Sequence, residues 1–334
     1  MLPTTMLAMA FAPLERRLGA EHRPLPAVGQ ADVLLRVLAC GVCRTDLHIV
    51  DGDLPVHCAS VVPGHEIVGE VVAMGSRASR FCLGQRVGVP WLGATCGHCM
   101  YCGMARENLC EQPVFTGYDR DGGFAEFASA DERFCFALPD RYDSAHAAPL
   151  LCAGLIGYRA WSLAGALAPR RLGLYGFGAA AHIVCQLAVA QGQQVFAFTR
   201  DGDTSAQAFA RSLGAVWAGS SSDKAPELLD AALIFAPAGE LVPVALTATR
   251  KGATVVCAGI HMSRIPAFDY RLLWGERTLR SVANLTREDG IGFFTLLDKY
   301  PVHTHVQTYP LRNANQALDD LRAGAVNGAA VLIP

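Results

Sequence analysis

From Leu172 onward the sequence alternates between short apolar runs and helical segments, and this alternation limits the possible folds more than any other feature. The strand-like runs are Leu172–Tyr175, Val195–Phe198, Ala231–Phe235, Ala253–Cys257 and Leu279–Val282, and the helix-like segments between the first four are Ala179–Gln191, Thr204–Leu213 and Glu240–Thr249. Strands joined by helices at this spacing pair in parallel through right-handed crossovers. The sequence therefore predicts an α/β fold with a doubly wound parallel sheet.

The first 140 residues have a different texture, with short β-branched runs separated by glycine and proline. Strands are predicted there at Asp32–Leu38, Ile67–Val72, Arg86–Val89, Phe124–Phe127 and Arg133–Ala137. Beyond residue 288 or so, the chain contains a predicted helix, Asn313–Leu321, and a final predicted strand, Ala329–Ile333. Because 334 residues exceed the usual size of one domain, we expect a β-rich domain in addition to the parallel one.

Composition excludes several classes of protein. Hydrophobic residues make up 51% of the chain and charged residues 17%, which supports a large core and excludes a disordered chain. The net charge of −2 provides no basic field for a nucleic-acid backbone, so no nucleic-acid partner is expected.

The sequence also argues against a membrane protein. The apolar stretch Leu172–Ala190 has three glycines in its first third, which indicates a strand, a turn and a helix rather than a membrane span. The first residues lack the basic region and the cleavage site that are typical of signal peptides. We therefore expect a soluble, cytoplasmic protein with reduced thiols.

A glycine-rich turn joins the first strand of the alternating region to its helix. Gly176 and Gly178, followed by Ala181, fit the G-x-G-x-x-(G/A) pattern of dinucleotide-binding turns. In such turns the first glycine makes the bend, the second lets the backbone approach a pyrophosphate, and the third position needs a small residue. The phosphates bind the free N–H groups at the start of the helix. The turn therefore predicts a dinucleotide cofactor.

The end of the next strand bears on which cofactor is bound. NAD sites usually have an acidic residue there, which binds the 2′-hydroxyl of the ribose. This chain has Thr199 and Arg200 instead, and an arginine suits a 2′-phosphate. The sequence thus favours NADP(H), with NAD(H) as the alternative because Asp201 and Asp203 follow closely. Arg200 as an ordinary solvated loop residue is the other interpretation.

The 12 cysteines are too few for a small disulfide scaffold, in which they exceed about 8–10% of the residues. Cys96, Cys99, Cys102 and Cys110 have the spacing C-x2-C-x2-C-x7-C. Four thiolates at this spacing can surround one tetrahedral ion with no open position, which is typical of structural zinc. An iron–sulfur cluster also takes four cysteines, but no second cysteine run accompanies this one. His98 is surplus to these four ligands.

Further residues that bind metals or transfer protons occur in three separate segments. They are Cys43, Thr45, Asp46 and His48 in the first, His65 and Glu66 in the second, and Cys152 in the third. Two cysteines and a histidine together with water form an open zinc site of the kind used in catalysis. Spacing alone does not join residues so far apart in the chain.

Together these segments resemble the zinc-dependent alcohol dehydrogenases of the medium-chain dehydrogenase/reductase superfamily. The resemblance covers essentially the whole chain, and the motifs occur in the family's order. It implies a GroES-like catalytic domain over residues 1–150 together with 288–334, with a structural zinc lobe at about 91–112. It also implies a Rossmann dinucleotide-binding domain over residues 151–287, and assembly as a homodimer or homotetramer.

The resemblance implies a role for each residue of the dispersed segments. Cys43, His65 and Cys152 bind a catalytic zinc, which with the structural zinc makes two Zn²⁺ per chain. Glu66 lies close behind the metal, and Asp46 fixes the tautomer of His65. A surface or helix-capping role is the alternative for both carboxylates.

Three further assignments rest on the same resemblance. Thr45 accepts the proton of the alcohol, which passes through the cofactor ribose to His48 and solvent, unless His48 is only a surface histidine. Arg44 reaches the cofactor pyrophosphate, unless it forms an ordinary salt bridge. Trp91, which precedes the four-cysteine segment, lines the alcohol pocket or belongs to the core.

The implied reaction is reversible hydride transfer between a primary or secondary alcohol and a nicotinamide cofactor. The partner is then a small-molecule alcohol, or an aldehyde or ketone in the reverse direction. One alternative is a polyol-type dehydrogenase, a class that often lacks parts of the proton relay. The other is a non-catalytic zinc-binding interaction protein of the same fold.

Overall fold

In a computed structural model, the chain is described over residues 2–12, 16–165, 170–326 and 328–334. These residues form two compact units. The first comprises the chain up to Cys152 with Asn284–Thr295 and His303–Pro334, and the second comprises Ala153–Ala283 with Leu296–Val302. The chain therefore leaves the first unit after Cys152 and returns to it at Asn284.

The part of the chain that precedes Ala153 is rich in strands. They are β1 (Thr5–Phe11), β2 (Leu18–Pro24), β3 (Asp32–Val42), β4 (Glu66–Met74), β5 (Arg86–Val89), β6 (Leu92–Ala94), β7 (Val114–Phe115), β8 (Phe127–Asp131) and β9 (Phe136–Ala137), with helices α1 (Arg44–Asp51), α2 (Met100–Gly103) and α3 (Ser144–Ala147). Short 3₁₀ turns occupy Glu107–Leu109, Glu132–Phe134 and Ala148–Leu151.

The rest of the chain alternates between strands and helices. Its elements are α4 (Ala153–Leu163), β10 (Arg171–Tyr175), α5 (Ala179–Ala190), β11 (Gln194–Thr199), α6 (Thr204–Ser212), β12 (Trp217–Ser220), β13 (Leu229–Ile234), α7 (Leu241–Ala248), β14 (Thr249–Cys257), β15 (Thr278–Ser281), α8 (Arg287–Lys299), β16 (Val306–Pro310), α9 (Ala314–Ala323) and β17 (Ala329–Ile333). Two further 3₁₀ turns occupy Tyr270–Leu272 and Leu311–Asn313.

Strand β3 is the centre of the main sheet of the first unit. Its sequence, DVLLRVLACGV, is almost entirely apolar, and it pairs antiparallel with β4, β8 and β17. The strand order is β16–β17–β3–β4–β5–β9, and β8 is also bonded to β3. The end of the chain thus completes the sheet that the first part of the chain begins.

Strands β10 to β15 of the second unit form one parallel sheet. The order is β12–β11–β10–β13–β14–β15, and every neighbouring pair is parallel. In doubly wound sheets of this order, ligands bind outside the carboxyl ends of the strands, where the order reverses. The predicted α/β fold with a doubly wound sheet is therefore confirmed. The sequence patterns miss the edge strand β12, because WAGS has no β-branched residue.

The apolar stretch Leu172–Ala190 folds as β10, a turn and α5, as predicted. It is apolar because both elements are buried, with Leu172 and Ile183 fully enclosed. Across the described ranges, no helix is both long enough and apolar enough to cross a bilayer.

Two predicted strands of the first unit are shifted or shortened. The run Phe124–Phe127 is mostly loop, and β8 begins only at its last residue. In the run Arg133–Ala137 the first residues belong to a 3₁₀ turn, and only β9 is strand. The turn forms because the Asp131 carboxylate accepts hydrogen bonds from the backbone N–H and the guanidinium of Arg133.

The sequence patterns also fail to predict helix α8 and the hairpin of β1 and β2. Gly290 and Gly292 lie within α8, and glycine weakens a helical pattern. The structure explains Gly290, because a Cβ at this position would lie 2.2 Å from Cζ of Phe136. Glycine is therefore required at position 290 by close packing against an aromatic ring, although its helix propensity is low.

Candidate active site and metal centres

Three loops of the first unit bring Cys43, His65 and Cys152 together. Cys43 follows β3 and His65 precedes β4, and the antiparallel pairing of these strands places the two residues side by side. Cys43 Sγ lies 3.2 Å from His65 Nε2 and 4.0 Å from Cys152 Sγ. The fold thus brings together three residues whose proximity could not be predicted from their spacing in the sequence.

Glu66 is the fourth member of this cluster. Its carboxylate and the three other ligand atoms all lie within 4.8 Å of one another. Gly41, which pairs with Glu66 across β3 and β4, provides the room, because a Cβ at residue 41 would lie 1.7 Å from Glu66 Oε2. Glu66 is only 3% exposed, so an ionised carboxylate here needs a cation nearby.

Asp46 lies on the Nδ1 side of the His65 imidazole, whereas Cys43 Sγ lies on its Nε2 side. Its carboxylate is fully buried and accepts hydrogen bonds from the backbone N–H groups of Cys43, at 2.9 Å, and Gly64, at 3.1 Å. Asp46 Oδ1 also lies 3.3 Å from His65 Nδ1, an ion-pair distance, although this nitrogen makes no hydrogen bond to the described residues. Because Nδ1 faces a carboxylate, Nε2 is the nitrogen available to a metal.

The ionisable groups of the cluster perturb one another. The hydrogen bond with Cys152, helped by the charge of His65, lowers the pKa of Cys43 well below its usual value despite burial. The same hydrogen bond and burial raise the pKa of Cys152. Burial opposes protonation of His65, but the charges of Cys43 and Asp46 outweigh it and raise its pKa. Burial also raises the pKa of Glu66. A divalent cation would neutralise this partly buried set of acidic donors, so the residues fit a zinc ion.

The residues Cys96–Cys110, called here the four-cysteine lobe, form a second cluster in the first unit. Cys110 Sγ lies 3.5 Å from Cys96 Sγ and 3.9 Å from Cys99 Sγ. Cys96 Sγ lies 4.0 Å from Cys102 Sγ. Zinc with Zn–S bonds of about 2.3 Å places the sulfur atoms of a tetrahedron about 3.8 Å apart. The four sulfur atoms therefore fit one tetrahedral zinc ion.

Backbone N–H groups of the lobe point at its sulfur atoms. Cys96 N donates to Cys110 Sγ at 3.3 Å, and Cys99 N donates to Cys96 Sγ at 3.4 Å. A hydrogen bond from the backbone of Cys102 is the main reason that the pKa of Cys99 is lowered to about 6, which favours its thiolate. His98 is exposed, with Nδ1 2.8 Å from Cys96 O, and so lies outside the ligand set.

Thr45 and His48 lie one helical turn apart on α1, where residues i and i+3 are surface neighbours. Thr45 is buried, and its backbone N–H donates to Cys43 Sγ at 3.3 Å. His48 is partly exposed, and its Nδ1 lies 2.7 Å from Oδ2 of Asp53, whose side chain is 54% exposed. Thr45 therefore lies beside the cysteine cluster, and His48 contacts a solvent-exposed carboxylate.

Trp91 lies beside the same cluster. Its ring meets the His65 ring edge to face, with centroids 5.0 Å apart, and stacks on Phe115 at 4.9 Å and Tyr118 at 5.7 Å. His57 packs on Tyr118 at 4.5 Å. Trp91, Phe115, Tyr118 and His57 are called here the aromatic wall. Sequence reasoning misses Phe115 and Tyr118, for which the available signal is a pair of aromatic residues in a glycine-containing turn.

The glycine-rich turn lies in the second unit, between β10 and α5. Gly176 has a φ of +85°, and a Cβ there would lie 2.8 Å from Ala236 N, so this position requires glycine. Gly178 is the N-cap of α5, and apart from its neighbours in the chain no described residue lies within 4 Å of where its Cβ would be. Ala181 is fully buried. A pyrophosphate can therefore approach the backbone at the start of this helix.

The two residues at the end of β11 differ in what they offer a ligand. Thr199 is buried, and its hydroxyl lies within hydrogen-bond distance of Gly219 O, at 3.3 Å, and Gln207 Nε2, at 3.2 Å. The Thr199 hydroxyl therefore bonds to other residues of the protein and is not directed to a ligand. Arg200 is exposed at the start of the following loop, and Arg44 is exposed at the first turn of α1 in the first unit.

Comparisons with known proteins agree with this arrangement. Residues 29–140 match the family described as the alcohol dehydrogenase GroES-like domain. A probable alcohol dehydrogenase of Mycobacterium tuberculosis is 46% identical over 331 residues, which cover 97% of this chain and 94% of that protein.

Two solved structures resemble the whole chain. A cinnamyl alcohol dehydrogenase from Sorghum bicolor gives a TM-score of 0.89 at 25% identity, over 98% of this chain and 97% of the other. A cobalt- and zinc-bound thermostable alcohol dehydrogenase from Pyrobaculum aerophilum gives 0.87 at 25% identity, over 99% and 100% of the two chains.

Proposed function

The chain belongs to the zinc-dependent alcohol dehydrogenases of the medium-chain dehydrogenase/reductase superfamily, and we propose that Cys43, His65 and Cys152 hold its catalytic zinc. It is an enzyme that transfers hydride reversibly between an alcohol and a nicotinamide cofactor. The assignment of the ligands rests on one observation, which is that two sulfur atoms and one imidazole nitrogen converge in a partly buried cluster. Glu66 shares the cluster, so we assign it as an alternate ligand. The comparisons do not favour a polyol-type dehydrogenase or a non-catalytic protein.

When both are bound, zinc supplies a Lewis acid for the alcohol oxygen and the nicotinamide supplies the hydride acceptor. The residues of the chain position these reactants. Asp46 holds the His65 imidazole with Nε2 toward the site, and Gly41 leaves space for the carboxylate beside it. Trp91 supplies an apolar side.

We propose that Thr45 takes the proton of the alcohol and that His48 is the solvent end of a route that the ribose of a bound cofactor would complete. Thr45 is buried beside Cys43, whereas His48 pairs with a half-exposed carboxylate, so the proton ends at a group in contact with solvent. Thr45→Ala should lower kcat by about 100-fold or more, and Thr45→Ser should retain most activity because it keeps the hydroxyl. His48→Ala should lower kcat less and alter its pH profile. Near-normal turnover of Thr45→Ala would contradict this route.

Two zinc ions per chain are proposed, the second in the four-cysteine lobe. Metal analysis of protein purified in reducing buffer should then give two equivalents. Cys152→Ser should lose one equivalent together with activity, whereas Cys110→Ser should lose the other and lower the thermal midpoint. A single equivalent in the wild type would contradict the second site.

NADP(H) is the cofactor that we propose the enzyme prefers. The exposed Arg200 guanidinium at the end of β11 supports a bound 2′-phosphate, and the open backbone at Gly178 supports a bound pyrophosphate. We assign Arg44 as a further pyrophosphate contact. Values of kcat/KM for NADP(H) and NAD(H) test the preference, and a higher value with NAD(H) would contradict it.

We propose that the substrates are alcohols and aldehydes that carry a planar ring, because the aromatic wall lies beside the metal ligands. Aromatic side chains beside the metal ligands favour a ring-bearing substrate over a hydrated polyol chain. The Sorghum bicolor structure is likewise that of a cinnamyl alcohol dehydrogenase. In a panel of ethanol, benzyl alcohol, cinnamyl alcohol and sorbitol, the ring-bearing alcohols should give the highest kcat/KM. Trp91→Ala should reduce that value more for cinnamyl alcohol than for ethanol, and equal losses would argue against the wall as the substrate surface.

We propose that the chain forms a homodimer or homotetramer and that the outer edge of β15 takes part in the interface. β15 pairs with β14 on one side, and no other described strand covers its second edge. Tyr270 and Trp274, shortly before it, are 70% and 59% exposed. An unpaired strand edge beside exposed aromatic residues favours pairing with a second copy of the chain. Native mass should therefore exceed that of one chain and fall in Trp274→Asp, and a monomeric wild type would contradict the assembly.

A reducing compartment suits this protein, and we propose the cytoplasm. None of the 12 cysteines, all of which lie in the described ranges, forms a disulfide, and both metal clusters depend on thiolates that oxidation would remove. Cell fractionation tests the location, and recovery outside the cytoplasm would contradict it.

A further inference from the structure

The loop after β11 carries two carboxylates beside Arg200, at a place where a doubly wound sheet binds the adenosine ribose. Asp201 and Asp203 both belong to this loop. A free carboxylate here accepts hydrogen bonds from the ribose 2′-hydroxyl and so favours NAD(H). A preference for NADP(H) is therefore favoured when both carboxylates are held away from the ribose.

The structure shows both carboxylates bonded to other parts of the protein. Asp203 is the N-cap of α6, and its Oδ1 accepts a hydrogen bond from Ala206 N at 2.9 Å. Asp201 Oδ1 accepts hydrogen bonds from two hydroxyls, those of Ser220 and of Ser222, the second at 3.0 Å. These bonds, from Ser220 first, lower the pKa of Asp201, so the carboxylate remains an ionised acceptor.

The turn after β12 holds the two serines in place. Ser220 is the last residue of β12 and pairs with Thr199 of β11, which brings the turn beside the loop that carries Asp201. The Ser220 N–H donates to Asp223 Oδ2 at 2.8 Å, and the Ser222 N–H donates to Ser220 Oγ at 3.1 Å. The hydroxyls are thus fixed donors, and their two hydrogen bonds to Asp201 Oδ1 hold this carboxylate against the β12 turn.

We infer that Ser220 and Ser222 are positioning residues for cofactor choice, which hold Asp201 against the β12 turn and leave Arg200 as the group that meets the ribose. This inference rests on the proposed preference for NADP(H). Removal of both hydroxyls frees the Asp201 side chain to turn toward the ribose and accept a hydrogen bond from the 2′-hydroxyl. NAD(H) offers that hydroxyl, whereas NADP(H) carries a phosphate in its place.

The test compares kcat/KM for NADP(H) and NAD(H) in the zinc-loaded, full-length enzyme and three variants. In Ser220→Ala/Ser222→Ala the NADP(H)-to-NAD(H) ratio should fall about tenfold, the effect of about one hydrogen bond to a carboxylate. Addition of Asp201→Asn to that variant should restore the ratio to the wild-type value or above. Ser212→Ala is the matched control, because its exposed hydroxyl donates to Phe209 O within α6, at 2.7 Å, and the ratio should not change.

The outcomes separate the inference from the proposed cofactor preference. A wild type that prefers NAD(H) overturns the preference itself. An unchanged ratio in the double variant, or a fall that persists after Asp201→Asn, overturns the role of the serines. If the double variant unfolds, Ser222→Ala alone removes an exposed hydroxyl and should still lower the ratio about threefold, and no change there overturns the inference as well.

Discussion

Removal of one buried hydroxyl, in Tyr175→Phe, should stabilise the protein. Tyr175 ends β10 and is fully buried, with its ring stacked on Phe198 at a centroid distance of 4.2 Å and an angle of 3°. Its hydroxyl makes no hydrogen bond within the described ranges, and burial raises the pKa of the phenol. Phenylalanine keeps the ring and its stacking and has no polar atom to remove from water.

The expected gain is about 1–2 kcal/mol in the free energy of unfolding, because an unpaired buried hydroxyl costs about 1–3 kcal/mol. For a unit of this size each kcal/mol corresponds to about 2–4 °C, so the thermal midpoint should rise by about 2–8 °C. Differential scanning calorimetry measures the change. The KM for the cofactor should not move, although residue 175 directly precedes the glycine-rich turn.

Tyr309 in the first unit provides a matched control with the opposite sign. Its hydroxyl donates to Asp320 Oδ2 at 2.8 Å and accepts from Gln307 Nε2 at 2.6 Å. Tyr309→Phe should therefore lower the free energy of unfolding by about 1–2 kcal/mol. A lower midpoint in Tyr175→Phe, or a raised KM for the cofactor, would refute the interpretation of its hydroxyl as an uncompensated cost.

Three further predictions concern the first unit. Asp46→Asn should weaken the catalytic zinc about 10–100-fold in a chelator competition while the lobe keeps its ion, and equal loss of both ions would argue against a local effect. Gly41→Ala should displace the Glu66 carboxylate and lower kcat about tenfold or more, and an unchanged kcat would show that the site tolerates the added methyl group. Glu107 is buried and bonds Arg287 at 2.8 Å, and although burial opposes ionisation these bonds lower its pKa. The pKa of Glu107 in the unfolded chain is about 4.3, and the ion pair with Arg287 stabilises the fold fully at pH values above it. This stabilisation is lost as the pH falls through the lower pKa that Glu107 has in the folded protein. In urea unfolding, wild type should therefore exceed Glu107→Gln in stability at pH 7 and lose that advantage on acidification, and a gap that widens would contradict the pairing.

The sequence by itself determined the features whose information lies within a short stretch of chain. The turn at Gly176 is recognisable because a tight bend before a helix has few solutions, and the four-cysteine lobe because tetrahedral zinc requires closely spaced thiolates. The strand–helix alternation likewise predicted the parallel sheet, since parallel neighbours need long crossovers. In these cases local geometry and chemistry specify the result.

Tertiary structure alone decided the contacts between distant segments. Cys152 lies beside Cys43 because the strands of the β3 sheet pair and bring the loops at their ends together. No local sequence pattern encodes this contact. Phe115 stacks on Trp91, and Ser220 holds Asp201, for the same reason. Aromatic rings and hydroxyls find partners through strand register and packing, which depend on the whole chain. The sequence therefore indicated which groups are candidates for the chemistry, and the fold decided what each of them touches.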